Sequence, residues 1–127
     1  MNNLLARHAE SIFWLARQVE RANSTARILD VNETFSRNAR GKHDWESVLR
    51  LYGDEAGFRA SGRRPSADTV LHFYVLDDSN PNSVLRNVRM ARENARALRP
   101  LISTEMWVQL NGFHNRLSRL RRPDLRV

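Results

Sequence analysis

The feature that most constrains the fold is a stretch of 31 residues, 4–34, that contains neither proline nor glycine. Proline breaks a helix interior and glycine weakens it, so this stretch lacks both interruptions. Its apolar and small side chains recur every three or four residues, the spacing of one helix face. They are Leu5, His8, Ile12, Leu15, Val19, Ala22, Ala26 and Leu29, widened by Phe13 and Trp14. The pattern predicts one long N-terminal helix with this face buried, which stops near Gly41.

Two short helices are predicted in the middle of the chain. The first is capped by Asp44 and ends at Gly53, with an apolar side between them. Residues 54–65 contain two further glycines and predict a loop. The second helix follows Ser66, a good N-cap residue, and covers 67–76. Its β-branched and aromatic content also fits a strand, but the cap and the helical surroundings favour a helix.

Two further helices complete the pattern. Residues 77–83 predict a turn in which Asn80 is the N-cap and Pro81 the first residue of a helix that runs to Leu98. Its buried stripe is Val84, Val88, Ala91, Ala95 and Leu98. Ser103 caps the last helix, and the stripe there is Met106, Trp107, Leu110, Phe113 and Leu117. We therefore expect an all-α fold, an antiparallel helical bundle over residues 1–120 with one long N-terminal helix, and a basic, disordered tail over 121–127.

Composition excludes several classes of site. The chain has no cysteine, so disulfides, cysteine-based zinc sites and thiol nucleophiles are excluded. No apolar run approaches the roughly 20 residues that cross a bilayer, and the N-terminus lacks the apolar segment of a signal peptide, so we expect a cytoplasmic protein. The net charge is +7, and arginine supplies 20 of the 21 basic residues. Arginine forms bidentate contacts with carboxylates and phosphates that lysine cannot form.

Two polar clusters are the candidate functional residues, one on each long helix. The first contains Arg17, Glu20, Arg21 and Arg27, and the second contains Arg92, Glu93, Asn94 and Arg96. If the two helices pack side by side, each glutamate can meet an arginine of the other cluster. Three interpretations remain open: solvated faces with weak ion pairs, a buried structural network, or a site for an anionic or carboxylate ligand.

The sequence indicates no catalytic residue, cofactor or metal. The four histidines lack metal-ligand spacing, no glycine-rich phosphate loop precedes a helix, and no serine or threonine lies in a nucleophile elbow. Glu20 and Glu93 each have arginine neighbours, which favour the ionised carboxylate and argue against a general acid. Trp14, Trp45 and Trp107 lie at helical spacing with other apolar residues, so we expect them in the core. His8 is expected to be a hydrogen-bonded core histidine.

Several blocks of the sequence resemble, in the same order, segments of the Alpha-E family, bacterial helical domains with a Glu-Arg motif. The motif is matched by Glu20-Arg21. The blocks are LLARHAESIFWLAR at 4–17, DDSNPNS at 77–83, ARENAR at 91–96 and ISTEMW at 102–107. Members of that family are usually more than twice as long, so the resemblance implies that this chain corresponds to the N-terminal half. A bundle face left unpaired in this way is expected to favour a homodimer.

The resemblance also implies a context for function. Alpha-E proteins are associated with circularly permuted ATP-grasp proteins and transglutaminase-like peptidases, which implies an accessory or interaction module in peptide or amide-bond formation. One alternative is a helical enzyme domain that acts on a peptide or amino-acid substrate with Glu20 and Arg21 at its site. Another is a basic nucleic-acid-binding protein, although the tail lacks the aromatic residues typical of such contacts. Each of the two remains open.

Overall fold

The computed structural model describes residues 2–38 and 45–125, and every regular element in these ranges is helical. The elements are α1 (Asn2–Asn38), α2 (Glu46–Tyr52), α3 (Glu55–Arg59), α4 (Ala67–Val75), α5 (Val84–Ala97) and α6 (Thr104–Arg119), followed by a 3₁₀ turn (Arg122–Leu125). The predicted all-α bundle with one long N-terminal helix is confirmed. None of the described helices combines the length and the apolarity that a membrane crossing requires.

The centre of the bundle is the packing of α1 along α5. Leu15 on α1 packs with Ala95 and Leu98 near the end of α5, while Ala22 packs with residues near its start, Val84 and Val88. The two helices are therefore antiparallel. The predicted stripe of α5 is confirmed, because all five of its residues are buried.

Helix α6 packs on α5 in the reverse direction. Trp107, near the start of α6, packs against the cluster that contains Leu98, and Leu117, near its end, packs with Val84. Since α6 is antiparallel to α5, and α5 is antiparallel to α1, α1 and α6 run parallel to each other. The structure thus places α5 beneath two parallel helices.

A separate core cluster surrounds the second half of α1. Leu29 packs there against residues of α2, α3 and α4, namely Val48, Leu49, Phe58, Val70, Leu71 and Tyr74, together with Trp45. The loop predicted for 54–65 is wrong in part, because α3 forms there and its Phe58 is only 3% exposed. Burial of the Phe58 side chain stabilises this glycine-containing segment against the core.

Hydrogen bonds between side chains connect this cluster. Thr25 on α1 is fully buried, and its Oγ1 lies 3.0 Å from the Tyr52 hydroxyl. The buried Tyr74 hydroxyl donates to Asp54 Oδ2 at 2.8 Å. The same carboxylate oxygen accepts from Asn82 Nδ2 at 2.9 Å. Three segments distant in sequence therefore meet at Asp54.

The predicted helix caps are confirmed in three places and wrong in one. Ser66 and Thr69 form a reciprocal capping box, Ser103 accepts from the backbone N–H of Met106, and Gly53 ends α2 with φ of +68°. The N-cap of α5 is Ser83 rather than Asn80. The predictions at Gly41 and Asp44 lie outside the described residues.

Asn80 does not cap the helix because both polar groups of its side-chain amide form hydrogen bonds within the preceding turn. Its Oδ1 accepts from the backbone N–H of Asn82, and its Nδ2 donates to the carbonyl of Phe73. Pro81 is consequently part of the turn, and the helix begins three residues later than predicted, at Val84.

The structure describes part of the expected tail, up to residue 125. Arg122–Leu125 form a 3₁₀ turn, and the backbone N–H of Arg121 donates to Asp124 Oδ2 at 2.9 Å. Leu125 is partly buried against the cluster around α4. The apolar Leu125 side chain thus attaches the basic segment to this cluster.

Candidate functional site

An open groove runs between α1 and α6, with α5 as its floor. We call it the α1–α6 groove, and its volume is about 980 Å³. Val84 and Val88 lie at its floor. The walls carry Ile12 and Val19 from α1, and Met106 and Phe113 from α6. It is a concave surface bounded by three helices.

The groove walls expose large apolar side chains. Ile12 is 51% exposed and Val19 46%, while Met106 is 42% exposed and Phe113 44%. Monomers rarely leave so many large apolar residues together at the surface, and such patches mark interaction sites. The sequence pattern placed all four in the core, and the structure corrects this. Its prediction of burial is also wrong for Leu5, which is 72% exposed, and for Ala26.

The reason for the correction is that α1 carries two apolar rows, and the neighbouring helices α2 to α5 cover only one of them. Leu15, Ala22 and Leu29 form the buried row, and Thr25 extends it. The second row, spaced by seven residues, consists of Leu5, Ile12, Val19 and Ala26. Each residue turns the helix by about 100°, so residues three apart, such as Ile12 and Leu15, point about 60° apart. The second row therefore faces the groove and not α5.

Two opposite charges lie at the rims of the groove. Glu20 lies on the α1 side and Arg116 on the α6 side, and both side chains are exposed. Because α1 and α6 are parallel, and Ala22 clusters with Leu117, these two residues lie at a similar height along the groove.

The other side of α1 carries exposed aromatic and arginine side chains. Phe13 is 55% exposed and Trp14 45%, and their rings meet edge to face with centroids 5.3 Å apart. The guanidinium of Arg17 lies 5.9 Å from the centre of the Phe13 ring. Arg21 follows one turn later and is exposed. We call Phe13, Trp14, Arg17 and Arg21 the aromatic–arginine face. The prediction that Trp14 lies in the core is wrong, because no described helix covers this side of α1.

The first predicted polar cluster is solvent-facing. Arg17, Glu20, Arg21 and Arg27 are all exposed. Within the described ranges, the side chains of Glu20 and Arg21 form neither a hydrogen bond nor an ion pair. Within the part of the chain that the structure describes, the two side chains of the Glu-Arg dipeptide therefore do not hold the bundle together by hydrogen bonds.

The second cluster forms contacts mainly along its own helix. Glu93 lies 3.8 Å from Arg92 and 3.4 Å from Arg96. Asn94 instead reaches α1, where its Nδ2 donates to Gln18 Oε1 at 2.7 Å. The helices do pack side by side, but this amide pair, and not a Glu–Arg pair, is the polar link between them.

Arg92 also contacts α6. Its Nη1 lies 3.1 Å from Nδ1 of His114, so the neutral ring accepts this hydrogen bond. Burial lowers the pKa of His114 below its usual value, and the positive charge of Arg92 lowers it further. Arg92 Nε is buried without a hydrogen-bond partner. Since Arg92 is occupied by His114 and Glu93, it is a structural residue of the α5–α6 contact.

The described residues do not assemble a metal site, since no group of three or more His, Asp or Glu side chains there could hold an ion. His8 is partly exposed rather than in the core. Of the predicted core tryptophans, Trp45 is buried at 5% exposure, and Trp107 is partly buried. The structure thus offers two surfaces for recognition, the α1–α6 groove and the aromatic–arginine face.

Sequence reasoning missed both surfaces, although the sequence contained a signal for the first. A helix with two apolar rows, at 15/22/29 and 12/19/26, has more apolar surface than one neighbouring helix covers. The signal for the second surface is weaker. Adjacent Phe13 and Trp14 point in directions about 100° apart, so one partner helix covers only one of them well.

Comparison with models of known protein families identifies a match over almost the whole chain. The Alpha-E family model, described as a predicted alpha-helical domain with a conserved ER motif, matches residues 4–126. Glu20-Arg21 is the one Glu-Arg dipeptide in the sequence. No curated protein and no solved structure matches the chain.

Proposed function

This chain belongs to the Alpha-E family, and from that membership we propose that it is a cytoplasmic helical interaction module. Its partner is a circularly permuted ATP-grasp or transglutaminase-like protein, and its contact surface is the aromatic–arginine face. It assists a partner that forms or cleaves amide bonds and does not catalyse the reaction itself.

The observation that carries the proposal is the exposure of this face together with the motif. Tryptophan and arginine are enriched among the residues that dominate binding energy at protein interfaces. Here Trp14 is 45% exposed, and Arg17 and Arg21 follow it at helical spacing. Because Arg21 has no hydrogen bond or ion pair within the described residues, its five N–H donors are available to a partner.

The charge of the chain supports an acidic partner surface. A net charge of +7 accelerates association with a negatively charged protein and slows association with a basic one. Arginine side chains also match carboxylates with two parallel hydrogen bonds. We therefore expect the contact to involve Asp or Glu side chains of the partner.

The test is a calorimetric titration that measures binding affinity. The purified chain is titrated with the purified ATP-grasp and transglutaminase-like proteins of the same genome. Trp14→Ala and Arg21→Glu should each weaken binding at least about 30-fold, as expected for residues that contribute about 2 kcal/mol. Arg119→Glu is the matched control, since Arg119 is exposed on α6 and lies outside the face. It should change affinity by less than about threefold.

Two results would contradict the proposal. The first is an absence of binding to both partners at high concentration. The second is an equal loss of affinity for Arg21→Glu and Arg119→Glu, which would assign binding to net charge alone. Circular dichroism of each variant establishes that it is folded before its affinity is compared.

A further inference from the structure

The α1–α6 groove has the shape and the lining of a helix-binding site. It is bounded by helices on both sides and floored by Val84 and Val88, so the apolar faces of a second pair of helices pack over it. Covering it would bury four side chains that are each about half exposed. It lies on the side of α1 opposite the aromatic–arginine face, so its occupant is independent of the function proposed above.

The spacing of the groove's apolar residues indicates what fits it. Ile12 and Val19 are seven residues apart on one wall, and Met106 and Phe113 are seven residues apart on the other. Seven residues is the repeat at which two helices stay in register along a shared seam. The apolar side chains on α1 therefore have the same seven-residue spacing as those on α6. The α1 wall of one molecule can pack in register against the α6 wall of another.

We infer that a second copy of this chain occupies the groove, so that the chain forms a symmetric homodimer. A two-fold axis along the groove places α1 of each protomer over α6 of its partner, with the helices parallel. Ile12 then packs at the height of Met106 from the other protomer, and Val19 at the height of Phe113. Such an interface is isologous, so both groove faces are covered at once and no apolar wall remains to recruit a third copy.

Charge complementarity favours a second copy over a different apolar helix. Glu20 and Arg116 lie on opposite rims at a similar height, and the two-fold axis brings each one over the other residue of the second protomer. The dimer thus gains two Glu–Arg pairs at its rims. A helix without this charge pattern would leave both Glu20 and Arg116 without an oppositely charged partner.

The apolar side chains of the groove also suit a dimer interface. Covering the groove would bury Ile12, Val19, Met106 and Phe113, which are the four large side chains that the groove leaves about half exposed. An interface gains most of its stability from a few such apolar anchors near its centre.

The first experiment is sedimentation equilibrium of the full chain across the micromolar range. We expect a concentration-dependent mass that approaches twice 14.8 kDa. Val19→Glu places a charge in the middle of the seam and should raise the dimer dissociation constant at least about 30-fold. Val108→Glu is the matched control, because Val108 is 59% exposed on α6 and does not line the groove. It should leave the dimer unchanged.

The second experiment uses the rim charges and is specific for a second copy. Glu20→Arg alone and Arg116→Glu alone each create two like-charged contacts in a homodimer, and each should weaken self-association about tenfold. In an equimolar mixture, the Glu20→Arg chain and the Arg116→Glu chain restore both opposite-charge contacts, so a mixed dimer should form. The double variant should self-associate like the wild type.

Three results would overturn the inference. One is a wild-type chain that stays at 14.8 kDa over the whole concentration range. Another is an equal rise in the dimer dissociation constant for Val19→Glu and Val108→Glu. The third is a failure of the mixed rim variants to associate while each is folded by circular dichroism, since this would exclude the two-fold pairing of α1 with α6.

Discussion

Replacement of Tyr74 by phenylalanine would test the hydrogen bonds that join the segments around Asp54. The Tyr74 side chain is fully buried, and its hydroxyl donates to Asp54 Oδ2 at 2.8 Å. Burial raises the pKa of this phenol far above its usual value, and the hydrogen bond to Asp54 raises it further. A hydrogen bond to a charged acceptor contributes about 1.5–3 kcal/mol, so Tyr74→Phe should lower the free energy of unfolding by that amount near pH 7.

The pH dependence of this difference follows from the direction of the pKa shift. Below about pH 10 the phenol is protonated in the folded and the unfolded chain, so its contribution is fully present. Above about pH 10 the unfolded chain loses the proton while the folded chain keeps it. The free energy of unfolding of the wild type then falls by about 1.4 kcal/mol for each pH unit. Tyr74→Phe has no phenol at this position and lacks this slope.

The assay is urea unfolding followed by circular dichroism, at intervals between about pH 8 and pH 11.5. The stability difference between the wild type and Tyr74→Phe should shrink by about 1 kcal/mol between pH 10 and pH 11, because the unfolded phenol is only half ionised at pH 10. Few other side chains titrate near pH 10, because the chain has only two tyrosines and one lysine. Tyr52→Phe is the control and should retain the alkaline slope. A constant difference between wild type and Tyr74→Phe at all pH values would refute the reasoning.

Three further predictions address single positions. Gly53→Ala should destabilise the chain by about 1–2 kcal/mol, measured by urea unfolding, because φ is +68° there although space for a methyl group exists. Ala95→Leu should cost about 1–3 kcal/mol by overpacking, measured as a lower Tm, because Ala95 is fully buried where α5 meets α1. NMR titration should give His114 a pKa below its usual value, and Arg92→Ala should raise it, since Arg92 is one of the charges that lower it. An unchanged His114 titration in that variant would contradict the assigned contact.

The sequence predicts the helices well where a local signal decides the structure. Ser66 is an N-cap by residue type, as predicted, and Thr69 three residues later completes a capping box with it. The stripe of α5 is also correct, because its arginines and apolar residues segregate to different sides of one helix. Asn80 shows where local reasoning stops. It is as good an N-cap by residue type as Ser83, and a hydrogen bond to the carbonyl of Phe73 decides between them.

The candidate surfaces depend on how many neighbours a helix has, which local sequence does not encode. Leu15 and Ile12 are equally apolar, but one is 5% exposed and the other 51%. The difference arises because α5 reaches only one of the two rows on α1. Glu20 is a similar case, since the same residue at the same spacing could have paired with an arginine of α5. The structure places it at the rim of the groove instead.

The amide pair between Gln18 and Asn94 has a consequence for how α1 and α5 hold their position against each other. Close to it, the small side chains of Ala91 and Ala95 pack in the cluster that also contains Leu15 and Leu98. A slip of one turn would displace α1 by about 5.4 Å and would separate the two amides, whose bond is 2.7 Å long. This bond therefore adds to the packing of Leu15 and Ala22 in fixing the axial position of α1 on α5. That position in turn determines which residues of α1 lie level with which residues of α6.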